Sequence, residues 1–318
     1  MKDPNVLVPI DFSEPSRRAL RAAGHWVRIF GGRIVPMHAY EAVTDLDGFH
    51  FYGPETSIAG DLPTVERGLK SLLDDVARQD VDAEHVADAV VVTGKPARCI
   101  AEVSRDHDLI VMASHGRTGL ARILLGSVTE ELVRLSPVPV LLVADETALL
   151  PMERILVTTD LSLNSEAAFP LARRIAEATG AAIEVLYVHA GDEAEAIAVD
   201  ELEHRVRAFI QPHFGEAAGV IALTVVVTRG HARDAVQSFL RDKTFNVVLM
   251  ATVGKGGTEH HGLGNVPAHA VREVKTALLL VNPEHQRELR QMGLDPRKPT
   301  QWPGDGAAAQ VYTGWVHG

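Results

Sequence analysis

The stretch that decides the fold is NVLVPIDFSEPSRRAL, residues 5–20, because its pattern occurs twice in the chain. Its counterpart is RILVTTDLSLNSEAAF, residues 154–169. Both consist of an apolar run, an aspartate, an apolar residue, a serine and a helical stretch. Two further pairs of blocks recur in the same order: LIVMASHGRTGL with VVLMATVGKGGT, and LLGSVTEELVRLSPVPVLLV with GLGNVPAHAVREVKTALLLV. Three paired blocks in one order indicate a duplicated domain.

Each repeat alternates apolar runs with amphipathic stretches, which predicts strands and helices in turn. The apolar runs are rich in Val, Ile and Leu without polar alternation, as is typical of parallel strands covered on both faces. We expect strands at 5–10, 33–39, 87–92, 108–113 and 139–143, and at 154–159, 182–188, 221–227, 246–251 and 277–281. The apolar stripe of the first helix comprises Ala19, Ala22, Ala23, Trp26 and Phe30. The fold class is therefore α/β, with a parallel sheet in each repeat and helices on both of its faces.

Three local features refine this prediction. Ser13 is the expected N-cap of the first helix, with Pro15 in its first turn. Pro170 is expected to kink the equivalent helix of the second repeat. The first repeat is longer than the second, and the extra residues are expected in a loop at 40–63.

The composition shifts along the chain and suggests three regions. Residues 1–146 and 151–283 are the predicted domains, joined by a short linker. Residues 284–318 are rich in Pro and Gly, and we expect a largely irregular extension with at most one short helix near 284–292.

The composition and net charge of the chain exclude several classes of protein. The chain has 318 residues, a formal net charge of -11 and 23% charged residues. This charge argues against a general binder of nucleic acid or of anionic membranes, because phosphate contacts need clustered Lys and Arg. Arg17, Arg18, Arg21 and Arg28 lie in one predicted helix, where a solvated helix face is the favoured interpretation.

The expected location is the cytoplasm. No run approaches the ~20 apolar residues of a membrane-spanning helix, and the N-terminus lacks the pattern of a signal peptide. Cys99 is the only cysteine, which excludes an intrachain disulfide and a Cys-based metal site.

The loop ASHGRTGLARILLGS, residues 113–127, joins a predicted buried strand to a helix expected at 127–135. Gly116 and Gly126 let backbone N–H groups approach a ligand because no Cβ stands in the way. The N–H groups at the start of the helix lack partners and align with the helix dipole, so they attract anions.

Polar residues around this loop extend the hypothesis to a nucleotide. Arg117 adds positive charge and Ser127 adds a hydroxyl. If the first and fourth strands are neighbours, Asp11 meets the loop at the crevice beyond the strand ends, where it can accept hydrogen bonds from ribose hydroxyls. An adenine would then contact backbone groups near Ala39, at the end of the second strand.

The same loop also fits an ordinary start of a helix. The run Ser127-Val-Thr-Glu130 has the pattern of a capping box, in which Ser127 caps a backbone N–H and Glu130 reaches back. Gly116 then serves only a turn, and Glu130 places a negative charge near the supposed phosphates. From the loop alone, both interpretations stay open.

The sequence lacks complete motifs for nucleophilic catalysis, for a P-loop or for a metal site. The chain has no G-x-S-x-G nucleophile elbow, and its near-match to a P-loop lacks the Ser or Thr. His260, His261 and His269 have no Cys or carboxylate pattern that completes a tetrahedral zinc site, so a surface loop is favoured and no metal site is predicted. His38, at the end of the second strand, is interpreted as a hydrogen-bonded scaffold residue rather than a base.

Three motifs together resemble the universal stress protein family. They are V-P-I-D-F-S at the start, A-S-H-G with nine residues to G-S, and P-V-P-V-L-L-V at the end of the first repeat. The resemblance covers roughly residues 3–283, so the chain resembles a tandem member. It implies a Rossmann-like sheet of five parallel strands in the order 3-2-1-4-5 in each half. It also implies that the halves pair through their last strands inside one chain, with a homodimer as a further assembly.

In that family the motif G-2x-G-9x-G-[S/T] accompanies ATP binding, so the resemblance implies an ATP site in the first repeat. Asp11 matches the aspartate that contacts the ribose, and Ala39 matches the backbone position beside the adenine. Ala113 departs from the first glycine of the motif. The candidate cofactor-binding residues of this repeat are Pro9, Asp11, Ala39, Met112, Ala113, Gly116, Arg117, Gly126, Ser127 and Val128.

The second repeat keeps a variant of this pattern. Its candidate residues are Asp160, Val188, Gly254, Gly264 and Asn265. Ala251 repeats the departure at Ala113, and Asn265 replaces Ser127. Because asparagine caps helices as well as serine does, the backbone site can survive this replacement.

The first functional hypothesis is an ATP-binding regulatory protein of the stress response, with or without Mg²⁺ and without a catalytic role. One alternative is an enzyme that uses ATP, for example a slow ATPase. A second alternative is a nucleotide-free assembly module that binds another protein.

Overall fold

The computed structural model describes residues 4–41, 43–45, 48–52, 57–60, 62–114, 126–144, 151–190, 197–215, 219–254, 264–273 and 276–283. The chain divides into two compact units, with a boundary between Asp145 and Glu146. Each unit contains one of the two sequence repeats. The finer bounds 1–146, 151–283 and 284–318 stay predictions, and residues 284–318 lie outside the described residues.

The first unit alternates strands and helices. Its strands are β1 (Asn5–Pro9), β2 (Arg33–Tyr40), β3 (Val43–Asp45), β4 (Gly48–Tyr52), β5 (Ser57–Gly60), β6 (Val90–Thr93), β7 (Leu109–Ala113) and β8 (Val140–Val143). Its helices are α1 (Glu14–Phe30), α2 (Leu62–Asp80), α3 (Pro96–Val103) and α4 (Ser127–Leu135). The main sheet has the order β6-β2-β1-β7-β8, and all of its neighbouring strands are parallel.

The second unit repeats this plan. Its strands are β9 (Arg154–Thr159), β10 (Ala182–His189), β11 (Leu223–Arg229), β12 (Val247–Ala251) and β13 (Ala277–Val281). Its helices are α5 (Phe169–Thr179), α6 (Val199–Phe214), α7 (Ala232–Asp242) and α8 (Asn265–Glu273). The strand order is β11-β10-β9-β12-β13, again parallel throughout. Both sheets therefore have the order 3-2-1-4-5 when their strands are counted along each repeat, as predicted.

The central strands are buried because helices cover them from both sides. In the first unit α1 packs against α2, and α3 packs against α4. Right-handed crossovers place these two pairs on opposite faces of the sheet. Trp26 is fully buried and lies with its ring centroid 4.7 Å from that of Phe30. Burial of one such side chain contributes roughly 1.5–3 kcal/mol, so the predicted apolar stripe of α1 is confirmed as a core face.

The segment expected as a loop at 40–63 instead contains the antiparallel sheet β3-β4-β5. Its strands carry β-branched and aromatic residues such as Val43, Thr44, Phe49 and Tyr52, which favour extended backbone. Asp45, Asp47 and Gly48, where β3 gives way to β4, are turn-forming residue types. The prediction of a loop was wrong because these strands are short and do not share the long apolar runs of the main sheet.

The expected kink at Pro170 was also wrong. The first helix of the second unit begins at Phe169, so Pro170 lies in its first turn. Proline is tolerated there because the N–H it lacks would have no partner within the helix. A single 3₁₀ turn, Ser165–Ala168, precedes this helix.

The arginines of α1 pair with the end of α2 rather than forming an open basic patch. Arg17 Nε lies 2.8 Å from Asp80 Oδ2, and Arg21 Nη1 lies 3.1 Å from Asp80 Oδ1. Burial favours the neutral form of Asp80, but the hydrogen bonds from the two arginines outweigh it and hold its pKa below the ordinary value. Arg28 pairs with the exposed Asp82. These ion pairs neutralise most of the charge that the sequence places on this helix.

Candidate functional site

The predicted site residues of the first unit cluster at the carboxyl edge of its sheet. β1 pairs with both β2 and β7, which confirms that the first and fourth strands are neighbours. From β1 the chain first adds β2 on one side of β1 and later adds β7 on the other side. The order of the strands therefore reverses between β1 and β7, and the crevice at the carboxyl ends of these two strands is a topological switch point. Ligands of open parallel sheets bind at such points.

Asp11 directly follows β1 and organises the turn into α1. Its Oδ1 accepts hydrogen bonds from Ser13 N at 3.1 Å and from Ser13 Oγ at 2.5 Å. Ser13 is the N-cap of α1, as predicted, and its Oγ accepts a bond from Ser16 N at 3.4 Å. The hydroxyl therefore donates to the carboxylate and accepts from the helix, which fixes the orientation of Asp11.

Phe12 has a left-handed backbone, with φ 64°. A bulky residue in this region costs of order 1–3 kcal/mol and persists only where the surroundings enforce it. On one side of Phe12, the two hydrogen bonds that Asp11 accepts from Ser13 hold this backbone conformation. On the other side the Phe12 ring lies 4.9 Å from the His38 ring and packs against the buried cluster that includes Tyr40. Such strain is found at functional sites, and a phenylalanine carries no sequence signal for it.

His38 is buried, and its Nδ1 lies 2.6 Å from the carbonyl oxygen of Ile10. Because a carbonyl only accepts, Nδ1 carries the proton. This bond ties β2 to the last residue before Asp11, as expected for a scaffold residue. Ile10 N in turn donates to Met37 O at 2.7 Å.

The remaining candidates on the strands line the same edge. Pro9 is the last residue of β1 and pairs with Met37. Ala39 is half-buried near the end of β2 and pairs with Val92. Met112 is buried and Ala113, the last residue of β7, is half-buried. Gly116 and Arg117 lie outside the described residues.

The start of α4 bears on the capping-box interpretation of its sequence. Gly126 is the N-cap, with φ −59° and ψ 139°, and glycine has no side chain that could cap the first turn. Its carbonyl accepts the bond from Glu130 N at 2.9 Å. Ser127 is the first residue of the helix, so the predicted capping box was wrong, because a capping side chain must come from the residue before the helix. The first-turn N–H groups, including those of Ser127 and Val128, therefore keep the anion-binding character described above.

The second unit builds the same turn after β9. Asp160 Oδ1 accepts bonds from Ser162 N at 3.0 Å and from Ser162 Oγ at 2.5 Å. Leu161 between them has φ 59°. Ser165 N donates to Ser162 Oγ at 3.2 Å, as Ser16 does to Ser13 in the first unit.

Gly254 lies against the carboxylate of Asp160. A Cβ added to Gly254 would lie 2.3 Å from Asp160 Oδ2, closer than real contacts allow, so the carboxylate would have to shift. The carboxylate therefore approaches the backbone that follows β12, where glycine leaves room for it. This contact brings together the two parts of the predicted site in the second unit.

The other candidates of the second unit surround the same edge. Gly264 N donates to Thr252 O at 2.8 Å, and Gly264 O accepts from Ala268 N at 2.9 Å. Asn265 is the first residue of α8, so it lies inside the helix rather than at the N-cap. Val188 is half-buried near the end of β10.

Tyr187 and His189 are further candidate site residues that the sequence interpretation missed. They lie on β10 at the positions equivalent to His38 and Tyr40, and Tyr187 OH is 3.3 Å from His189 Nδ1. Burial raises the pKa of Tyr187, and the nearby negative charge of Asp160 raises it further against the opposing effect of Arg205. An alignment of the second strand of each repeat would have shown that Tyr187 and His189 occupy the positions of His38 and Tyr40.

The comparisons with known proteins agree with this geometry. The universal stress protein family model matches residues 4–144 and again residues 152–282. The chain belongs to the universal stress protein family. The double match makes it a tandem member, as its two units indicate.

Individual relatives within the universal stress protein family match one or both halves. A universal stress protein of Thermus aquaticus, described as lying in the QAH/OAS sulfhydrylase 3' region, is 34% identical over 140 residues, which is 43% of this chain and 96% of that protein. The universal stress protein Rv2005c of Mycobacterium tuberculosis is 31% identical over 197 residues, 57% of this chain and 65% of that protein.

A solved structure of the universal stress protein family supports the fold. The crystal structure of a universal stress protein from Archaeoglobus fulgidus matches with a TM-score of 0.67 at 20% identity, covering 89% of this chain and all of that one. Within the described part of this chain, no helix has the length and apolar character needed to span a membrane.

Proposed function

We propose that this chain binds ATP at the carboxyl edge of the sheet in its first unit and acts as a nucleotide-dependent regulatory protein. The observation that carries the proposal is the pairing of a fixed carboxylate with a helix start whose N-cap is a glycine, at one topological switch point. Asp11 is held by Ser13 at the end of β1, and α4 begins directly after Gly126, which has no side chain.

The chemistry of these groups suits the two ends of a nucleotide. A carboxylate accepts hydrogen bonds from the two hydroxyls of a ribose. Backbone N–H groups and the positive end of a helix dipole bind phosphate oxygens. The half-buried Ala39 leaves the end of β2 open to a flat base. Mg²⁺ would accompany the triphosphate.

The second unit offers a variant of this site. Asp160 lies against Gly254, and α8 begins after Gly264. We propose that Asp160, Val188, Gly254, Gly264 and Asn265 form a second nucleotide site with its own affinity. The pairing of the two halves through their last strands and a homodimer stay predictions of the family resemblance, which light scattering and chemical crosslinking would test. The cytoplasmic location stays a prediction from the sequence.

The main experiment measures ATP binding by the full chain with and without Gly126→Glu. The added side chain brings bulk and a negative charge to the start of α4. Because like charges in contact cost several kcal/mol, the affinity of the first site for ATP should fall by roughly 100-fold or more. Isothermal titration calorimetry would show the loss of one binding equivalent.

Gly219→Glu is the matched control, because Gly219 is exposed and a Cβ there would meet nothing within 4 Å. It adds the same charge and bulk away from both candidate sites and should leave ATP binding unchanged. If Gly126→Glu folds normally by circular dichroism and still binds ATP like the wild type, the phosphate site is wrongly placed.

A further inference from the structure

The strand β11 lies at one edge of the sheet of the second unit and is paired on one side only. It pairs with β10 in a continuous register from Leu223 to Arg229. Within the described part of the chain, no strand pairs with its other side. An edge strand presents a row of backbone N–H and C=O groups to which a further strand can bind.

Two hydrogen bonds at the ends of β11 show which residues point to this open edge. Ile183 N donates to Ala222 O at 2.8 Å, and Gly230 N donates to His189 O at 3.2 Å, so Ala222 and Gly230 direct these groups to β10. Alternate residues of a strand direct their N–H and C=O groups to opposite sides. The residues of β11 that direct both groups to the open edge are therefore Leu223, Val225, Val227 and Arg229.

The first unit has a much shorter strand at the equivalent edge. There β6 comprises only the four residues Val90–Thr93. A 3₁₀ turn at Ala83–His85 and an isolated bridge between Ile34 and Val86 precede it. Short edge strands protect a sheet against pairing with other chains. The seven residues of β11 give the second unit no such protection.

The sequence of β11 is symmetric about its centre. Residues 224–228 read TVVVT in both directions. If β11 pairs in the antiparallel sense with β11 of a second copy, a two-fold axis through Val226 places Thr224 opposite Thr228 and Val225 opposite Val227. Pairs of threonines and of β-branched residues stabilise neighbouring strands. The strand is therefore complementary to itself in this register.

The backbone groups match in the same register. Val225 lies opposite Val227, and Leu223 lies opposite Arg229, so each outward-pointing residue meets another one. Each such pair exchanges two hydrogen bonds, which gives about eight bonds between the two copies. Two-fold pairing of one patch with itself is the commonest symmetry of soluble oligomers.

The side chains of β11 do not oppose this pairing. Leu223, Val226 and Val227 are half-buried, so apolar surface is left at the edge for a second copy to cover. Arg229 is the one charged residue of the strand. The two copies of Arg229 would lie about 20 Å apart, at opposite ends of the pair, where salt screens their repulsion. The strand also contains no Lys or Pro, the residues that commonly block edges.

We infer that the open edge of β11 is an interaction surface for a second copy of this chain. An antiparallel pair of β11 strands, centred on Val226, joins the sheets of the two second units. This assignment does not depend on ATP binding in either unit, and Gly126→Glu should leave the pairing intact.

Cysteine crosslinking tests the register in the full chain, with Cys99→Ser in every variant so that each chain has a single thiol. Val226 does not exchange backbone bonds with its own copy across the axis, and Cα atoms in such a pair are about 4.5 Å apart. This separation lies within the range of about 4.4–6.8 Å for disulfides. Val226→Cys should therefore give a disulfide-linked dimer on mild oxidation, seen by electrophoresis without reductant.

Thr224→Cys is the matched control, because Thr224 lies on the same face of β11 and is exposed. In the proposed register its two copies are about 14 Å apart, so this variant should crosslink at least about tenfold more slowly. Equal rates for the two variants, or no crosslink in Val226→Cys, would overturn the proposed register.

Sedimentation equilibrium tests the association without a crosslink. The wild type should show a reversible equilibrium between monomer and dimer. Val226→Lys places two like charges opposite each other and should weaken the dimer by about tenfold or more, whereas Thr224→Lys should have a smaller effect. Circular dichroism checks that both variants fold, and the crosslinking result stands if Val226→Lys does not. A wild type that stays monomeric, or a dimer that a folded Val226→Lys variant retains unchanged, would refute the pairing.

Discussion

The two units build the same turn after their first strand and surround it with different side chains. In both, an aspartate accepts two bonds from the serine two residues later, and the residue between them is left-handed. That residue is Phe12 in one unit and Leu161 in the other. The turn is therefore set by the Asp and Ser pair, because two unrelated apolar side chains accept the same backbone strain.

The lining of the crevice is where the units diverge. His38 and Tyr40 of the first unit correspond to Tyr187 and His189 of the second, so the two aromatic types exchange places. His38 bonds to the backbone of Ile10, whereas Tyr187 bonds to His189 within its own strand. The backbone frame was kept through duplication while the side chains around the crevice changed. A shared fold thus does not give the two crevices the same ligand preference.

The largest expected effect tests whether the turn is equivalent in both units. Asp11→Ala and Asp160→Ala each remove two hydrogen bonds to a charged acceptor, so each should lower the free energy of unfolding by about 2–4 kcal/mol. Chemical denaturation would measure the loss, and hydrogen exchange of peptides from each unit would locate it.

Asparagine variants provide the control for this comparison. Asp11→Asn and Asp160→Asn keep an acceptor oxygen and the tendency to form this turn, so both should be milder than the alanine variants. A loss of stability in one unit but not in the other would show that the two turns are not equivalent.

A smaller effect is expected from Gly254→Ala. The new Cβ would overlap Asp160 Oδ2 at 2.3 Å, so the carboxylate or the backbone must move at a cost of about 1–3 kcal/mol. Hydrogen exchange should report faster opening of the turn after β9. Gly219→Ala adds the same methyl group in open space and should be nearly neutral. Equal stability of these two variants would mean that Asp160 moves away freely.

Most of the fold was predictable because its strands are continuous apolar runs. The strand expected at 154–159 is β9 with the same bounds, and that at 277–281 is β13. The duplication strengthened each assignment, since one pattern was available twice. The sheet formed by β3, β4 and β5 escaped prediction because short strands with turn formers between them resemble a loop.

The candidate site was predictable in its residues and less so in its contacts. Asp11 and Gly126 follow from motif and spacing. The left-handed Phe12 does not, because a large apolar residue gives no signal for that backbone. The run from Ser127 to Glu130 fits a capping box, yet Gly126 takes the cap and moves Ser127 into the helix. The approach of Asp160 to Gly254 depends on tertiary packing, which periodicity does not encode.

The smallest expected effect compares how each unit responds to acid. In the second unit Glu184 meets Arg154 and Lys243; burial favours its neutral form, but these hydrogen bonds outweigh burial and hold its pKa below the ordinary 4.5. In the first unit the balance is the same for Asp80: burial favours the neutral form, but the hydrogen bonds from its two arginines outweigh burial and hold the pKa of Asp80 below the ordinary 3.8.

A carboxylate with a lowered pKa in the folded state stabilises the protein above its unfolded pKa, and this contribution disappears as the pH falls through the folded pKa. The two carboxylates are largely buried, but the cations that pair with them are about one-third exposed. Solvent therefore screens each pair, and each contribution should be at most about 1 kcal/mol. Asp80→Asn should therefore lower stability at pH 7, with a difference from the wild type that shrinks as the pH falls through the lowered pKa of Asp80. Glu184→Gln should also lower stability at pH 7 and approach the wild type in acid, and hydrogen exchange should place this loss in the second unit.

Asp82→Asn, which breaks the exposed pair with Arg28, is the control and should change stability little at neutral or acidic pH. A constant difference between Asp80→Asn and the wild type across this range would mean that packing, rather than charge, makes Asp80 stabilising.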